Sequence, residues 1–305
     1  MLTLFTIPKP FRGHLGVIQR NAIRSWTLLH PRCEVILFGD DEGAASAAAQ
    51  FEARHVPGVA RNDFGTPLVS DIFAKAQRLA SHDLLCYINA DIIVTNDLLA
   101  AVSRVRKRRF LMIGQRWDLD VTTRLNFDDP NWQSTLKGLV QARGLLHSHT
   151  GLDYHVFHRN LWGELPPFAV GRTVYDNWLI WRARSLGVPV IDATRVVFCV
   201  HQNHDRSYSS LGMKAPDSRD DLTKGQEAQR NLQLAGGRVH MCTLRNATWI
   251  LTARYLLPAI TPKYLWARVK SMIRTVLSLT TGFQKNGSSA DSPQRAKADV
   301  RPSVR

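Results

Sequence analysis

The 305-residue chain has no stretch approaching the roughly 20 uninterrupted apolar residues that a membrane span requires. Cysteine is scarce and scattered. Cys33, Cys86, Cys199 and Cys242 form no C-x-x-C pair, and three of them lie inside or beside apolar, strand-like runs. They read as buried thiols of a reducing compartment, with neither zinc nor disulfides implied. The opening residues MLTLFTIPKPF lack the basic start and small-residue cleavage site of a signal peptide, so the body of the protein is expected to be cytoplasmic. No G-x-S-x-G or comparable nucleophile motif occurs, which argues against a hydrolase working through a covalent intermediate. Internal repeats are also absent.

Positive charge is in excess, with 40 Lys and Arg against 25 Asp and Glu and a formal net charge of +15. From Arg254 onward ten basic residues face only Asp291 and Asp299, leaving +8 in the tail and +7 in residues 1–253. A second cluster comprises Arg104, Arg106, Lys107, Arg108 and Arg109. Such patches suit nucleic acid, an anionic membrane or phosphorylated substrates, and charge alone does not separate these. The basic residues follow no nucleic-acid-binding motif, so no nucleic-acid partner is expected.

The 44% hydrophobic content supports a sizeable core, and α/β domains commonly reach about 250 residues as one unit. Residues 2–7 read as a first strand ended by Pro8 and Pro10, and 16–29 carry apolar positions at helical spacing. EVILFGDD at 34–41 is a second buried strand with acids at its carboxyl end. A helix at 43–54, a short strand at 55–59 and an amphipathic helix at 68–80 lead into a strand at 84–88. A strand at 110–114, strand character at 152–159, a helix at 176–187 and the strands VPVIDA and VVFCVH follow. This alternation predicts right-handed βαβ units and a parallel sheet. Residues 115–150, rich in Trp, Asp and Asn, read as an irregular insertion over the sheet edge.

The most informative stretch is LLCYINADIIVTNDLL at 84–99, where an apolar run stops at Asn89-Ala90-Asp91 and resumes. A buried strand that delivers an acid to the edge of an α/β sheet places it where such sheets bind ligands, as a holder of metal or phosphate.

Three pieces in order resemble the GT-A class of nucleotide-sugar glycosyltransferases: the acid-bearing second strand, the D-x-D-like turn at 89–91, and YDNWLIWRARSLGVPVIDATRVVFCVHQNH at 175–204. The last piece is similar to inverting family 2 enzymes, in which acids open a helix that leads to a glycine turn, a strand and a histidine. Only the second acid of each pair is kept here, Asp91 after Asn89 and Asp176 after Tyr175. The resemblance covers roughly residues 2–205. It implies a Rossmann-like GT-A single domain of α/β class with a mostly parallel central sheet and a C-terminal helical extension. It further implies transfer of a sugar from a nucleoside-diphosphate donor to a hydroxyl of a glycan or lipid-linked acceptor, with Mn²⁺ or Mg²⁺ as cofactor.

On this resemblance Asp91 anchors the metal, with His201 or His204 as a second ligand, since a hard cation takes a few protein ligands and fills its remaining positions from phosphate and water. Asp176 is the candidate base, expected to sit at the amino end of a helix and to remain ionised there. Donor recognition falls to Thr6, Asp40, Asp71, Lys75 and Asn89, with Asn89 toward the ribose, while Arg12, Arg20 and Arg24 are further phosphate candidates. Trp117, Trp132 and Asp153 are candidates for the acceptor. A literal D-x-D at Asp118-Leu119-Asp120 lacks a preceding long apolar strand and ranks second as a metal site, with a place lining the acceptor cleft.

The expected organisation is a catalytic domain over residues 1–253, divided near 115 into nucleotide and acceptor parts, then a basic amphipathic helix over 254–283 and a disordered tail over 284–305. Residues 262–280 suit an anionic membrane surface, which makes peripheral attachment to an inner membrane face an expectation. A sugar-nucleotide nucleotidyltransferase is the alternative, but IPKPFRGHLG after the first strand lacks that class's glycine-rich, basic phosphate loop. A non-catalytic basic binding protein is the remaining alternative.

Overall fold

The computed structural model describes residues 1–204 and 225–286. The expected tail beyond 286 lies outside the described residues. A nine-stranded sheet forms the body, built from β1 (Leu2–Thr6), β2 (Glu34–Phe38), β3 (Arg54–Val56), β4 (Leu84–Ile88), β6 (Leu111–Ile113), β9 (Tyr154–His158), β10 (Val190–Asp192), β12 (Trp249–Leu251) and β13 (Leu256–Pro258). Their order is β13-β12-β10-β6-β9-β4-β1-β2-β3. Five of the eight neighbouring pairs are parallel, so the sheet is mostly parallel as expected for the class. Its inner strands are largely apolar on both sides because both faces are covered there, the composition buried parallel strands require, whereas the edge strands β3 and β13 are partly exposed.

Three helices among the described residues connect the first strands: α1 (Gly13–Thr27), α2 (Ala44–Gln50) and α3 (Val69–Leu79). One apolar layer is organised around Phe5, whose ring lies 5.2 to 6.2 Å from those of Phe38, Phe73, Tyr87 and Phe157. Burying such a ring stabilises the fold by about 2–3 kcal/mol and each edge-on pair adds about 1 kcal/mol. The opposite layer packs α1 and its buried Trp26 against Leu4, Leu37, Ile88 and Ile92.

A second, four-stranded sheet has the order β5-β11-β7-β8, from β5 (Ile92–Val94), β7 (Trp117–Leu119), β8 (Leu145–Leu146) and β11 (Cys199–Gln202). The expectation of an irregular insertion at 115–150 is overturned here. That segment supplies β7, β8 and the helix α5 (Trp132–Arg143), which follows α4 (Asp97–Arg104) in the chain. Only Leu136 and Val140 of α5 are buried, four residues apart, so its periodicity is too sparse to announce a helix.

The strand at 152–159 also departs from the expected parallel arrangement. β9 runs antiparallel between β4 and β6, because the chain returns from the second sheet at the carboxyl end of β4. Asn89 N–H donates to the Asp153 carbonyl there, at 2.9 Å. The central sheet continues past residue 253, since β13 pairs with β12 at its edge. The remaining α-helices among the described residues are α6 (Tyr175–Ser185), α7 (Gln226–Leu234) and α8 (Pro262–Asn286). No helix among the described residues is long and apolar enough to cross a membrane.

Candidate metal and catalytic site

A cavity of about 650 Å³ opens where β1 and β4 end and the second sheet begins, which is the edge at which α/β sheets bind ligands. Its lining includes Asn89, Asp91, Arg116, Asp118, Asp153, Asp176, His201 and His204. Five aspartates line it against three cationic side chains, Lys9, Arg116 and Arg172.

Strand register assembles the metal side. Asp91 is the residue just before β5, and β11 runs antiparallel to β5 with His201 opposite Ile92. On its other side β11 pairs with β7 so that His201 faces Asp118. The backbone is pinned from beneath: the Trp26 indole N–H donates to the Ile92 carbonyl at 2.8 Å, and the buried Gln202 amide donates to the carbonyls of Ile18 and Asp91 at 2.8 and 3.1 Å.

His204 Nε2 lies 3.0 Å and His201 Nε2 3.6 Å from Asp91 Oδ2, and one ligand atom from each of the three residues falls within 4.8 Å of the others. Asp91 Oδ1 is buried and has no hydrogen-bond partner. An orphaned carboxylate oxygen beside two imidazoles is costly unless a cation meets it, so these residues fit a divalent metal. The mixed nitrogen and oxygen set suits Mn²⁺ better than Mg²⁺, which prefers oxygen ligands. Burial works to raise the Asp91 pKa, but the His204 hydrogen bond and the fields of His201 and His204 outweigh it and hold the carboxyl well below the usual range. Burial pushes His201 down, toward the neutral imidazole that ligates metal.

Behind the ligands stands a network that the sequence reading ranked low. His201 Nδ1 lies 3.3 Å from its hydrogen-bond partner Asn203 Oδ1 and 3.3 Å from Asp118 Oδ1, an arrangement that turns Nε2 toward Asp91. Asp118 is also held by Arg116 Nε at 2.9 Å and by His147 Nδ1 at 2.6 Å. Gly151 makes room for that histidine, since a Cβ there would collide with the His147 ring. Arg116 reaches onward to Asp153 Oδ2 at 2.6 Å, and Asn89 donates to Asp153 Oδ1 at 2.8 Å. The strand period accounts for Asp118: Trp117 and Leu119 face a separate apolar cluster with Leu136 and Val140, leaving Asp118 toward the cavity.

Asp176 lies in the first turn of α6 and lines the same cavity. Its Oδ1 accepts the Asn177 N–H at 2.9 Å. The expectation that the helix terminus keeps it ionised is corrected. Burial, reinforced by the charge of Asp153, pushes its pKa up to about 7, overcoming the backbone hydrogen bond. The residue before this helix, Val174, has φ +101°, a strained conformation for a β-branched side chain.

The other expected residues divide. Asn89 and Asp153 reach the cavity, although Asp153 does so as the partner of Arg116 and Asn89. Thr6 is buried within β1 with its hydroxyl unpartnered, and the cavity lining begins at Ile7. Asp40 is exposed and caps Gly58 N–H at 2.8 Å, while its neighbour Asp41 lines the cavity, 3.6 Å from Arg61. Asp71 and Lys75 pair with each other at 2.7 Å and brace the loop at Gly58 and Ala60, away from the cavity. Trp117 and Trp132 pack in the apolar cluster just described, so neither faces an acceptor. Arg12 pairs with Glu42, Arg20 stands over the Phe11 ring, and neither they nor Arg24 line the cavity. Asp120 accepts Asn203 at 2.8 Å outside it.

No protein-family model matches the chain, and no curated protein matches it. Among solved structures it is similar to glucosyl-3-phosphoglycerate synthase from Mycobacterium tuberculosis in complex with Mn²⁺, uridine diphosphate and phosphoglyceric acid. That similarity has 15% identity and a TM-score of 0.46, over 78% of this chain and 79% of that one. A mannosyltransferase from Pyrobaculum calidifontis in complex with GDP-Man and Mn²⁺ is similar over 90% of this chain and 86% of that one, at 15% identity and a TM-score of 0.43.

Proposed function

We propose that this chain is a metal-dependent glycosyltransferase that moves a sugar from a nucleoside-diphosphate donor to a hydroxyl of a glycan or lipid-linked acceptor, with inversion. The observation that carries the reading is the Asp91, His201 and His204 donor set, with its orphaned carboxylate oxygen, in the same cavity as a carboxyl of pKa about 7.

Asp91, His201 and His204 would hold the cation. When bound, it neutralises the charge that builds on a departing diphosphate. Asn203 and Asp118 hold the His201 ring, and Arg116 ties Asp118 to Asp153 so that neither acid swings into the diphosphate. The Asn89 amide nitrogen is committed to Asp153, which leaves its oxygen to accept a ribose hydroxyl. Asp41, in the position expected of Asp40, serves as the acceptor for a base N–H. Asp176 removes the proton from the attacking acceptor hydroxyl, a task for which a pKa near the working pH is close to optimal. A lipid-linked acceptor accords with a chain that works beside an anionic membrane.

Thermal melts with Mn²⁺ against UDP, GDP, CMP and ATP, repeated with chelator, test the reading. One nucleoside diphosphate should raise the melting temperature only when metal is present, because a ligand that binds only the native state stabilises it. Donor turnover, read as nucleotide release, should vanish in Asp91→Ala while the fold persists. A fully active Asp91→Ala protein overturns the assignment.

A further inference from the structure

We propose that the outward face of α8, together with the adjoining edge hairpin of the central sheet, docks on the surface of an anionic lipid bilayer. The helix presents its apolar side the wrong way round for a soluble domain. Leu265, Trp266, Val269, Met272, Ile273 and Val276 recur at i, i+1, i+4, i+7, i+8 and i+11, a single stripe, and all are exposed, Trp266 to 60% and Met272 to 66%. The opposite side makes the contacts with the body. Tyr264 is buried there with its hydroxyl on Asp192 at 2.6 Å, the Ala267 carbonyl accepts Asn246 at 3.1 Å, and the Arg268 guanidinium donates to the Ala259 carbonyl. An isolated exposed leucine is ordinary, whereas a continuous stripe of this kind marks a contact surface.

Charge identifies the occupant. Lys263, Lys270 and Arg274 follow one edge of the stripe, and Lys270 Nζ stands 5.3 Å over the Trp266 ring. A tryptophan and cations bordering an apolar strip suit the boundary between acyl chains and anionic headgroups. The hairpin extends this surface. Leu257 pairs with Ile250, so both lie on the sheet face where Tyr264 packs, and Leu257, Tyr255 and Ile260 are exposed. The basic run at 104–109 reaches the turn of the same hairpin from the other sheet face, where Arg104 donates to the Thr252 and Ala253 carbonyls at 2.8 and 2.6 Å and Lys107 stands 4.0 Å over the Trp249 ring. Two basic clusters far apart in sequence thus flank one sheet edge.

The inference rests on the transferase reading only in giving a lipid-linked acceptor its place, because vesicle binding is measured without donor or acceptor. The test is sedimentation of the full chain with phosphatidylcholine vesicles, with and without phosphatidylglycerol. The chain should sediment with the anionic vesicles, less with neutral ones, and less at high salt. Ile273→Glu should lower the bound fraction by about tenfold or more, given the cost of a carboxylate at the lipid boundary. Lys270→Glu with Arg274→Glu should abolish the preference for anionic vesicles. Both changes fall on exposed positions, and unchanged melting temperatures would confirm folding. Absence of sedimentation with either vesicle, or binding indifferent to Ile273→Glu, overturns the proposal. So does a dimer in light scattering that Ile273→Glu dissolves without any vesicle binding, which would mean that a second copy covers the face. A chain that binds vesicles but neither Mn²⁺ nor nucleotide keeps this inference and loses the transferase reading.

Discussion

Asp176→Asn separates what this acid does for chemistry from what it costs the fold. In the unfolded chain an aspartate releases its proton near pH 4, whereas in the folded chain Asp176 holds it up to about pH 7. Between those limits the folded state binds more protons, so stability falls as pH rises through the window. A displacement of about three units corresponds to about 4 kcal/mol once the pH passes 7. That figure is an upper value, because the carboxyl lines the cavity and water reaches it from one side. Asparagine keeps the shape and removes the cost of ionisation, so the variant should melt higher than the parent above pH 7 and about equally near pH 4. The same change removes the base and should lower kcat/KM by about 10²–10⁴-fold, while the parent's kcat/KM should climb about tenfold per pH unit until about pH 7. The assay pairs calorimetric melts of both proteins across about pH 4–8.5, in chelator, with nucleotide-release kinetics over the same range. A melting difference that does not change with pH would refute the burial argument, and an active asparagine variant would refute the catalytic one.

Asp118→Ala with Asn203→Ala should weaken Mn²⁺ by about 10–100-fold in calorimetric titration, because His201 Nδ1 then loses both groups that hold its ring. Phe5→Ala should cost about 3–5 kcal/mol in denaturant melts, since four aromatic rings lose their common neighbour. Lys75→Ala should leave nucleotide affinity unchanged in thermal-shift titrations, and it should lower stability by about 0.5–1 kcal/mol, because Lys75 pairs with Asp71 and braces Gly58. Removal of metal by chelator should abolish nucleotide release in the parent, and added Mn²⁺ should restore it.

The main-sheet strands from β1 to β10 and the turn that brings Asp91 to the cavity were legible because they are local. An apolar run that stops at Asp91 states its own geometry, and α3 declares itself by buried Val69, Ile72, Phe73 and Ala76. What the sequence concealed depends on pairing across distance. Nothing in Leu145-Leu146 or Trp117-Asp118-Leu119 tells that they share a sheet with residues 199–202. Asp118 therefore ranked low beside Asp91, although a literal D-x-D and a period of two were both available as signals. Arg116 and His147 carried no motif at all. Asp40 was named and Asp41 was not: adjacent acids at a strand end differ only in which way the backbone turns, and here it is Asp41 that lines the cavity. The raised pKa of Asp176 reflects burial, reinforced by the charge of Asp153, and neither is a property of its helix position.

The cavity's acidic lining has a consequence for the order in which ligands arrive. Although the chain carries a net +15, the cavity gathers five aspartates against three cations, with the positive excess placed elsewhere. A nucleoside diphosphate approaching that surface alone meets charge of its own sign, whereas a divalent cation is drawn in. If the chain uses the donor proposed above, entry is conditional: the cation first, or cation and nucleotide together as one complex. On the same proposal product would leave under the reverse condition, since a diphosphate without its cation would face the same carboxylates that oppose its entry.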